Sequence, residues 1–262
     1  MRYHKILIPL LLIGTVISGC GKNGADKQDI ETETLKGLTA SVIANPTNAA
    51  CYYERGLEYY RQGKLNLALE DMNNAVKYRP DYAKAYLMLG NIYIAAGLDG
   101  DAYLNYLNAV KYDPSMDGAY FEIANYQYLA GDLKSALSNI NIALTIAPGN
   151  PEYYYSRGML YINLKEYVPA LNDFNRAIVL KPDYADAYRS RGVLYSALKE
   201  FEQALADLTK AISLDPEFTD AYFHRGMVYL EMGNKTLARK DLAKAAALGD
   251  KQAKAILEQL GE

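Results

Sequence analysis

From Ala185 to Leu198, Tyr188, Gly192 and Tyr195 fall at the three-to-four-residue spacing of one helix face. Lys199 and Glu200 break that pattern and mark a turn. It resumes from Phe201 to Leu214, where Phe201, Ala204, Leu208, Ala211 and Ile212 define the apolar face of a second helix. Asp215-Pro216 ends it, because the residue before a proline is pushed out of the helical region. The stretch therefore predicts a hairpin of two helices. Gly192 and Ala204 are small where the helices should cross, and a larger side chain there would overpack by roughly 1–3 kcal/mol.

The same landmarks recur every 34 residues. Tyr188 is matched by Tyr52, Tyr86, Tyr120, Tyr154 and Tyr222, and Gly192 by Gly56, Gly90, Gly158 and Gly226, with Ala124 in the third copy. Ala204, Ala211 and Pro216 recur with the same register. A fixed period in this range is the signature of stacked units that bury a continuous core. In the order Tyr188, Gly192, Tyr195, Ala204, Leu208, Ala211, Pro216, the pattern resembles the tetratricopeptide repeat (TPR), with Tyr in place of the usual Trp. The array occupies 46–250, with copies at 49–82, 83–116, 117–150, 151–184, 185–218 and 219–252. The resemblance implies an all-α solenoid of antiparallel helix hairpins, forming a right-handed superhelix with a capping helix at each end. Copy 3 departs from the pattern with Ala124 and Gln127, and copy 6 with Asp250 where Pro is expected.

The flanks fit such an array. Residues 30–45 carry Ile30, Leu35, Leu38, Val42 and Ile43 ahead of Pro46, itself one period before Pro80. The segment is expected to be the second helix of a degenerate repeat; the alternative is a disordered extension. At the far end, Ala253, Ile256 and Leu260 share one face of 251–262, as a polar-backed terminal cap requires. Residues 1–19 hold Arg2 and Lys5 before a 12-residue apolar run, Ile6 to Ile17, too short to span a bilayer comfortably. Ile17-Ser18-Gly19-Cys20 resembles a bacterial lipobox, which implies a signal peptide cut before a lipidated Cys20; the alternative is an ordinary secretory signal with an incidental Cys. Residues 20–29 then form the lipidated Cys and a polar tether. The expected location is the bacterial cell envelope, lipid-anchored, and Gly21 in place of Asp resembles a signal for the outer membrane.

Charge and chemistry narrow the function. Without Arg2 and Lys5, 26 basic residues face 31 acidic ones, which argues against nucleic-acid binding by bulk charge. There is no Trp, and of the 25 Tyr, 11 occupy positions equivalent to Tyr188 and Tyr195, so a large share of the tyrosine is framework. Cys51 is matched by Ala85, Ala119, Ala187 and Ala221 and reads as a packing residue, with no disulfide expected. Outside the leader, His224 is the one histidine; no metal-ligand cluster, phosphate-binding glycine loop or G-x-S-x-G is present, so neither catalysis nor a cofactor is expected. Arg55, Arg157, Arg191 and Arg225 precede the glycine in four copies, and the same copies carry Asp71, Asp173, Asp207 and Asp241 sixteen residues later. The two copies with Leu89 and Ile123 instead carry Asn105 and Asn139, so the charges come and go together. That pattern predicts a structural ion pair between the two helices of one repeat; common descent of four copies is the alternative.

In the TPR family the first helices line a concave surface, which is carried over here to positions matching Asp186, Arg189, Val193 and Ser196. Repeats 1 and 2 then contribute Tyr53, Tyr60, Lys84, Leu87 and Asn91, and repeat 3 contributes Phe121, Asn125 and Tyr128. Tyr155, Met159, Arg189, Phe223 and Met227 complete the set in repeats 4 to 6. The expected function is a membrane-anchored scaffold or adaptor that binds a protein or peptide partner in this groove and assists assembly of an envelope complex. The layout resembles envelope TPR lipoproteins, including pilots of pilus secretins and docking factors for cell-wall hydrolases. The alternative is a self-associating structural protein, with the Tyr-rich surface as a homo-oligomer interface. Asn91 and Asn125 match the asparagines that hold a peptide backbone in chaperone-binding TPR domains, but Leu87 and Phe121 stand where those domains have lysines. A complete carboxylate clamp is therefore absent, and an extended segment with apolar or aromatic anchors is expected.

Overall fold

The computed structural model describes residues 24–261, and among these every regular element is an α-helix. Helix α1 (Gly24–Ala44) leads into six hairpins: α2 (Ala49–Arg61) with α3 (Leu65–Tyr78), α4 (Ala83–Ala95) with α5 (Asp99–Tyr112), and α6 (Asp117–Leu129) with α7 (Leu133–Ile146). They continue as α8 (Pro151–Asn163) with α9 (Tyr167–Leu180), α10 (Ala185–Ala197) with α11 (Phe201–Leu214), and α12 (Thr219–Glu231) with α13 (Lys235–Ala247). Helix α14 (Lys251–Gly261) closes the array. Each helix packs on its hairpin partner and then on the next hairpin in line, so the fold is the all-α solenoid that the period implies.

Packing within a hairpin turns on small residues. The alanines equivalent to Ala204 and Ala211 have no exposed surface in any of the six copies. The closeness of the helices varies with the residue facing each glycine. A Cβ on Gly192 would lie 3.0 Å from Leu208 Cγ, and one on Gly158 2.7 Å from the Phe174 ring. One on Gly90 would collide with the buried Tyr106 ring, meeting Cδ1 at 2.6 Å. In copy 3 the facing residue is the smaller, branched Ile140, and Ala124 is accommodated beside it, both almost fully buried. The departure at Ala124 is thus matched by its partner.

The turn between paired helices needs a left-handed residue. Gly63, Gly97, Gly131 and Gly233 supply it with φ from 70° to 82°, whereas Lys165 and Lys199 adopt φ of 61° and 65° at the equivalent place. Between hairpins, Asn48 and Asn150 cap α2 and α8 by accepting from the amides of Ala50 and Glu152. In the same two places the hydroxyls of Tyr52 and Tyr154 donate to the carbonyls of Pro46 and Pro148. Pro46 therefore stands to α2 as Pro148 stands to α8, and α1 packs on α2. Helix α1 begins at Gly24, however, inside the stretch expected to be a tether; Gly37 is its only internal glycine and it holds no proline. Val42 is buried against the array, while Ile43 is exposed. At the other end, Asp250 stands where Pro occurs elsewhere and accepts from the amides of Gln252 and Ala253, starting α14. Ala253 of α14 is fully buried, with Ile256 and Leu260 packed beside it.

Candidate functional site

The four Arg–Asp pairs form the frame behind the first helices. Arg55 to Asp71, Arg157 to Asp173, Arg191 to Asp207 and Arg225 to Asp241 each make two parallel hydrogen bonds from Nε and Nη2 at 2.7–2.9 Å. Bidentate geometry is the strongest form of this contact. Each aspartate is buried. The hydrogen bonds to Asp71, Asp173 and Asp241 hold the guanidinium pKa of Arg55, Arg157 and Arg225 above its ordinary value. Burial opposes the same rise at Arg191 without cancelling it. Tyrosines three residues before and four after lie beside the guanidinium, at 5.6 Å for Tyr188 and 5.9 Å for Tyr195 around Arg191. The remaining nitrogen reaches backward: Nη1 of Arg157, Arg191 and Arg225 donates to Asn141, Asn175 and Thr209 of the preceding repeat. Each of these arginines therefore ties together three helices, and the backward link escaped the reading from sequence. In the two copies without arginine, Asn105 turns to the Asp101 carbonyl of its own helix, while Asn139 donates both across the hairpin to Gln127 at 2.8 Å and to the Ser135 carbonyl.

In front of this frame, the first helices share one open face. Tyr53, Tyr60, Leu87, Asn91, Asn125, Tyr128, Met159, Phe223 and Met227 lie on it half-buried, and Lys84 is exposed. Among the described helices none from a distant hairpin packs closely across this face; along it the first helices meet in line, as α2 does with α4 and α10 with α12. Tyr60 of α2 feels the charge of Glu122 in α6, two hairpins away, which with burial raises its phenol pKa. Repeats 1 and 3 are therefore within electrostatic range of each other.

Two expected groove residues are instead core. Phe121 keeps 6% of its surface and is covered by Tyr153, ring centroids 4.7 Å apart. Tyr153 stands where most copies have Ala, and its bulk, anchored by a 2.7 Å bond from its hydroxyl to Asp117, seals that site. Tyr155 keeps 9% and packs between Phe174 and Tyr184. The asparagines are partly engaged: Asn91 Oδ1 accepts from the Tyr106 hydroxyl at 2.9 Å, and Asn125 Nδ2 donates to Glu122 at 3.3 Å. The Tyr128 hydroxyl accepts from Asn163 at 3.0 Å. Arg189 lies 3.6 Å from Asp186, and its buried Nε has no hydrogen-bond partner among the described residues. Two residues beyond those expected belong to the site. Tyr106 reaches it because the Gly90 gap admits a large ring, and Glu122 is a half-buried carboxylate on the same helix as Asn125. Among the described residues no group of three His, Cys, Asp or Glu converges as a metal ion would require.

Three family models match the chain: "Tetratricopeptide repeat" over residues 160–223 and again, as a separate model, over 219–248, and "TPR repeat" over 56–97. No curated protein sequence gives a significant match. Among solved structures, the Cut9–Hcn1 hetero-tetramer of the APC/C aligns with a TM-score of 0.72 at 17% identity, over 88% of this chain. This chain spans only 46% of the length of that one. PilF of Pseudomonas aeruginosa aligns with a TM-score of 0.71 at 14% identity, covering 80% of this chain and 97% of PilF. YrrB, described as a TPR protein with an unusual peptide-binding site, aligns with a TM-score of 0.61 at 22% identity, covering 73% of this chain and all of YrrB. At these identities the likeness is one of fold, and a fold of this kind suits protein–protein contact and is generally non-enzymatic. The stacked hairpins, their common period and the matched stretches in both halves make the chain a member of the tetratricopeptide repeat family.

Proposed function

We propose that the chain is a lipid-anchored scaffold of the bacterial cell envelope that holds an extended segment of a partner protein along its first helices and assists assembly of a complex. The observation that carries this reading is the run of Tyr60, Asn91, Asn125, Tyr128 and Met159 along consecutive first helices, partly exposed, with no described helix from a distant hairpin packed closely across it. Rings and Met offer apolar contact, and amides offer donor and acceptor to a peptide backbone. YrrB, described as having an unusual peptide-binding site, supports peptide capture by a fold of this kind. No described helix is long and apolar enough to cross a membrane. Anchoring rests on the lipobox-like Ile17-Ser18-Gly19-Cys20, outside the described residues.

The experiment places a photo-crosslinking amino acid at Tyr128 in the groove, or at Val179 on a second helix, in wild-type and Cys20→Ser cells. Crosslinks to one defined protein from Tyr128 but not Val179, and release of the Cys20→Ser chain from membranes, are expected, since acyl chains supply the hold. Crosslinks from Val179 alone would move the partner to the opposite face. Unchanged membrane extraction and processing in Cys20→Ser would overturn the anchor. Leu104, Val168 and Val179, all more than half exposed on second helices, favour self-association as a second reading. Concentration-dependent dimerisation by light scattering, abolished by Val168→Glu/Val179→Glu, would select it.

A further inference from the structure

The buried carboxylates among the described residues all have a cation. Asp71, Asp173, Asp207 and Asp241 hold their arginines, and Glu58 has Arg61 at 3.6 Å. Glu122 does not. It is half-buried on α6, takes one long hydrogen bond from Asn125 at 3.3 Å, and has no Lys, Arg or His in ion-pair range among the described residues. Its electrostatic neighbours come from four helices: Tyr60 of α2, Tyr106 of α5, and Glu152 and Tyr153 of α8 all interact with its charge, while Asn125 shares its helix. Burial raises its pKa, and the second carboxylate, Glu152, pushes the same way, against the Asn125 bond. A half-buried anion beside another acid costs free energy unless a cation joins it. The fold supplies none, and the site opens onto the groove. Tyr60, within range of its charge, offers a ring face for an aliphatic stem or a guanidinium.

Granting the peptide groove proposed above, we infer that the bound segment carries a lysine or arginine whose charged group seats against Glu122, with Asn91 and Asn125 beside its backbone. The cation completes the charge balance that the fold builds internally at the four Arg–Asp pairs. The apolar anchors expected of the ligand then flank this basic residue, over Tyr60, Tyr128 and Met159.

The test uses the purified full-length chain and a synthetic peptide library, acetylated and amidated so that the termini carry no charge. Flanks are randomised among Leu, Phe, Tyr, Ser and Asn, and a fixed central residue is Lys, Arg, Gln, norleucine or Glu. Binding is read by fluorescence anisotropy. The Lys and Arg pools should bind about tenfold or more tighter than the Gln pool, as a charge-assisted bond to a partly buried partner allows. The Glu pool should bind weakest. Glu122→Gln should remove the preference without weakening the Gln pool, and Glu122→Lys should transfer it to the Glu pool. Equal binding of all pools, a best norleucine pool, or a basic preference that survives Glu122→Gln would overturn the inference while leaving the groove standing. Absence of binding by every pool would overturn the groove reading with it. Should either variant fail to fold, the ranking of pools on the wild-type chain decides alone.

Discussion

Arg191→Leu should cost more stability than Arg191→Leu combined with Asp207→Asn. Asp207 accepts two bonds at 2.7 Å from Arg191, and their side chains keep 9% and 18% of their surface. Removing the arginine strands a buried carboxylate, worth about 3 kcal/mol, at the low end of such losses because the guanidinium is not fully enclosed. Asp207→Asn alone replaces a charge-assisted acceptor by an amide and should cost roughly 1.5–3 kcal/mol. Additivity would put the double variant near ~5 kcal/mol, the sum of those two costs. We expect about 2 instead, since both lost partners were needed to create the penalty. Repeat 2 shows how the double variant is accommodated: Leu89 is buried, and Asn105 bonds a carbonyl of its own helix; in repeat 3 Ile123 is buried and Asn139 also bonds Gln127, where repeat 5 has Tyr195. Urea melts of the four chains, followed by circular dichroism, give the coupling. A coupling within about 0.5 kcal/mol of zero would refute the pairing as the source of stability. The same cycle at Arg225 and Asp241, equally bidentate, should give the same sign.

Gly90→Ala should destabilise by about 3 kcal/mol or more because the new methyl meets the buried Tyr106 ring, while Gly192→Ala, facing Leu208 at 3.0 Å, should cost about 1; Tyr106→Leu should rescue the first in urea melts. Lys165→Gly should raise the unfolding free energy from urea melts by about 0.5–1 kcal/mol, since Lys165 holds a left-handed φ of 61° that glycine adopts without strain; Lys199→Gly should gain less, as Lys199 also bridges to Glu231. His224 is held neutral, its pKa lowered to about 4 by burial and by Arg189, against Asp220 and Asp250. An unfolded histidine protonates near ~6.5, so stability on the order of 1–2 kcal/mol is present above that pH and is lost as pH falls from ~6.5 towards 4. His224→Gln should flatten the difference between melts at neutral and mildly acidic pH, and an unchanged slope would show that another group carries it.

Features that repeat within one copy are legible from the chain alone. The hairpin boundaries follow from apolar spacing and from Pro and Gly at fixed offsets. The Arg–Asp pairs follow because both partners belong to one hairpin, so their joint presence and absence is visible six times along the chain. What lies between copies was not legible, because it depends on residues that differ from repeat to repeat. Phe121 and Tyr155 occupy positions that are open elsewhere, and only the bulk of Tyr153 and of Phe174 with Tyr184 closes over them. Tyr106 fits only because Gly90 faces it. Glu122 looks like one more surface carboxylate in a helical pattern. It becomes a half-buried charge without a cation only once the fold brings Tyr60, Tyr106 and Glu152 towards it. Local periodicity fixes which face of each helix is apolar, but the dielectric surroundings of a given side chain are set by neighbours one and two repeats away.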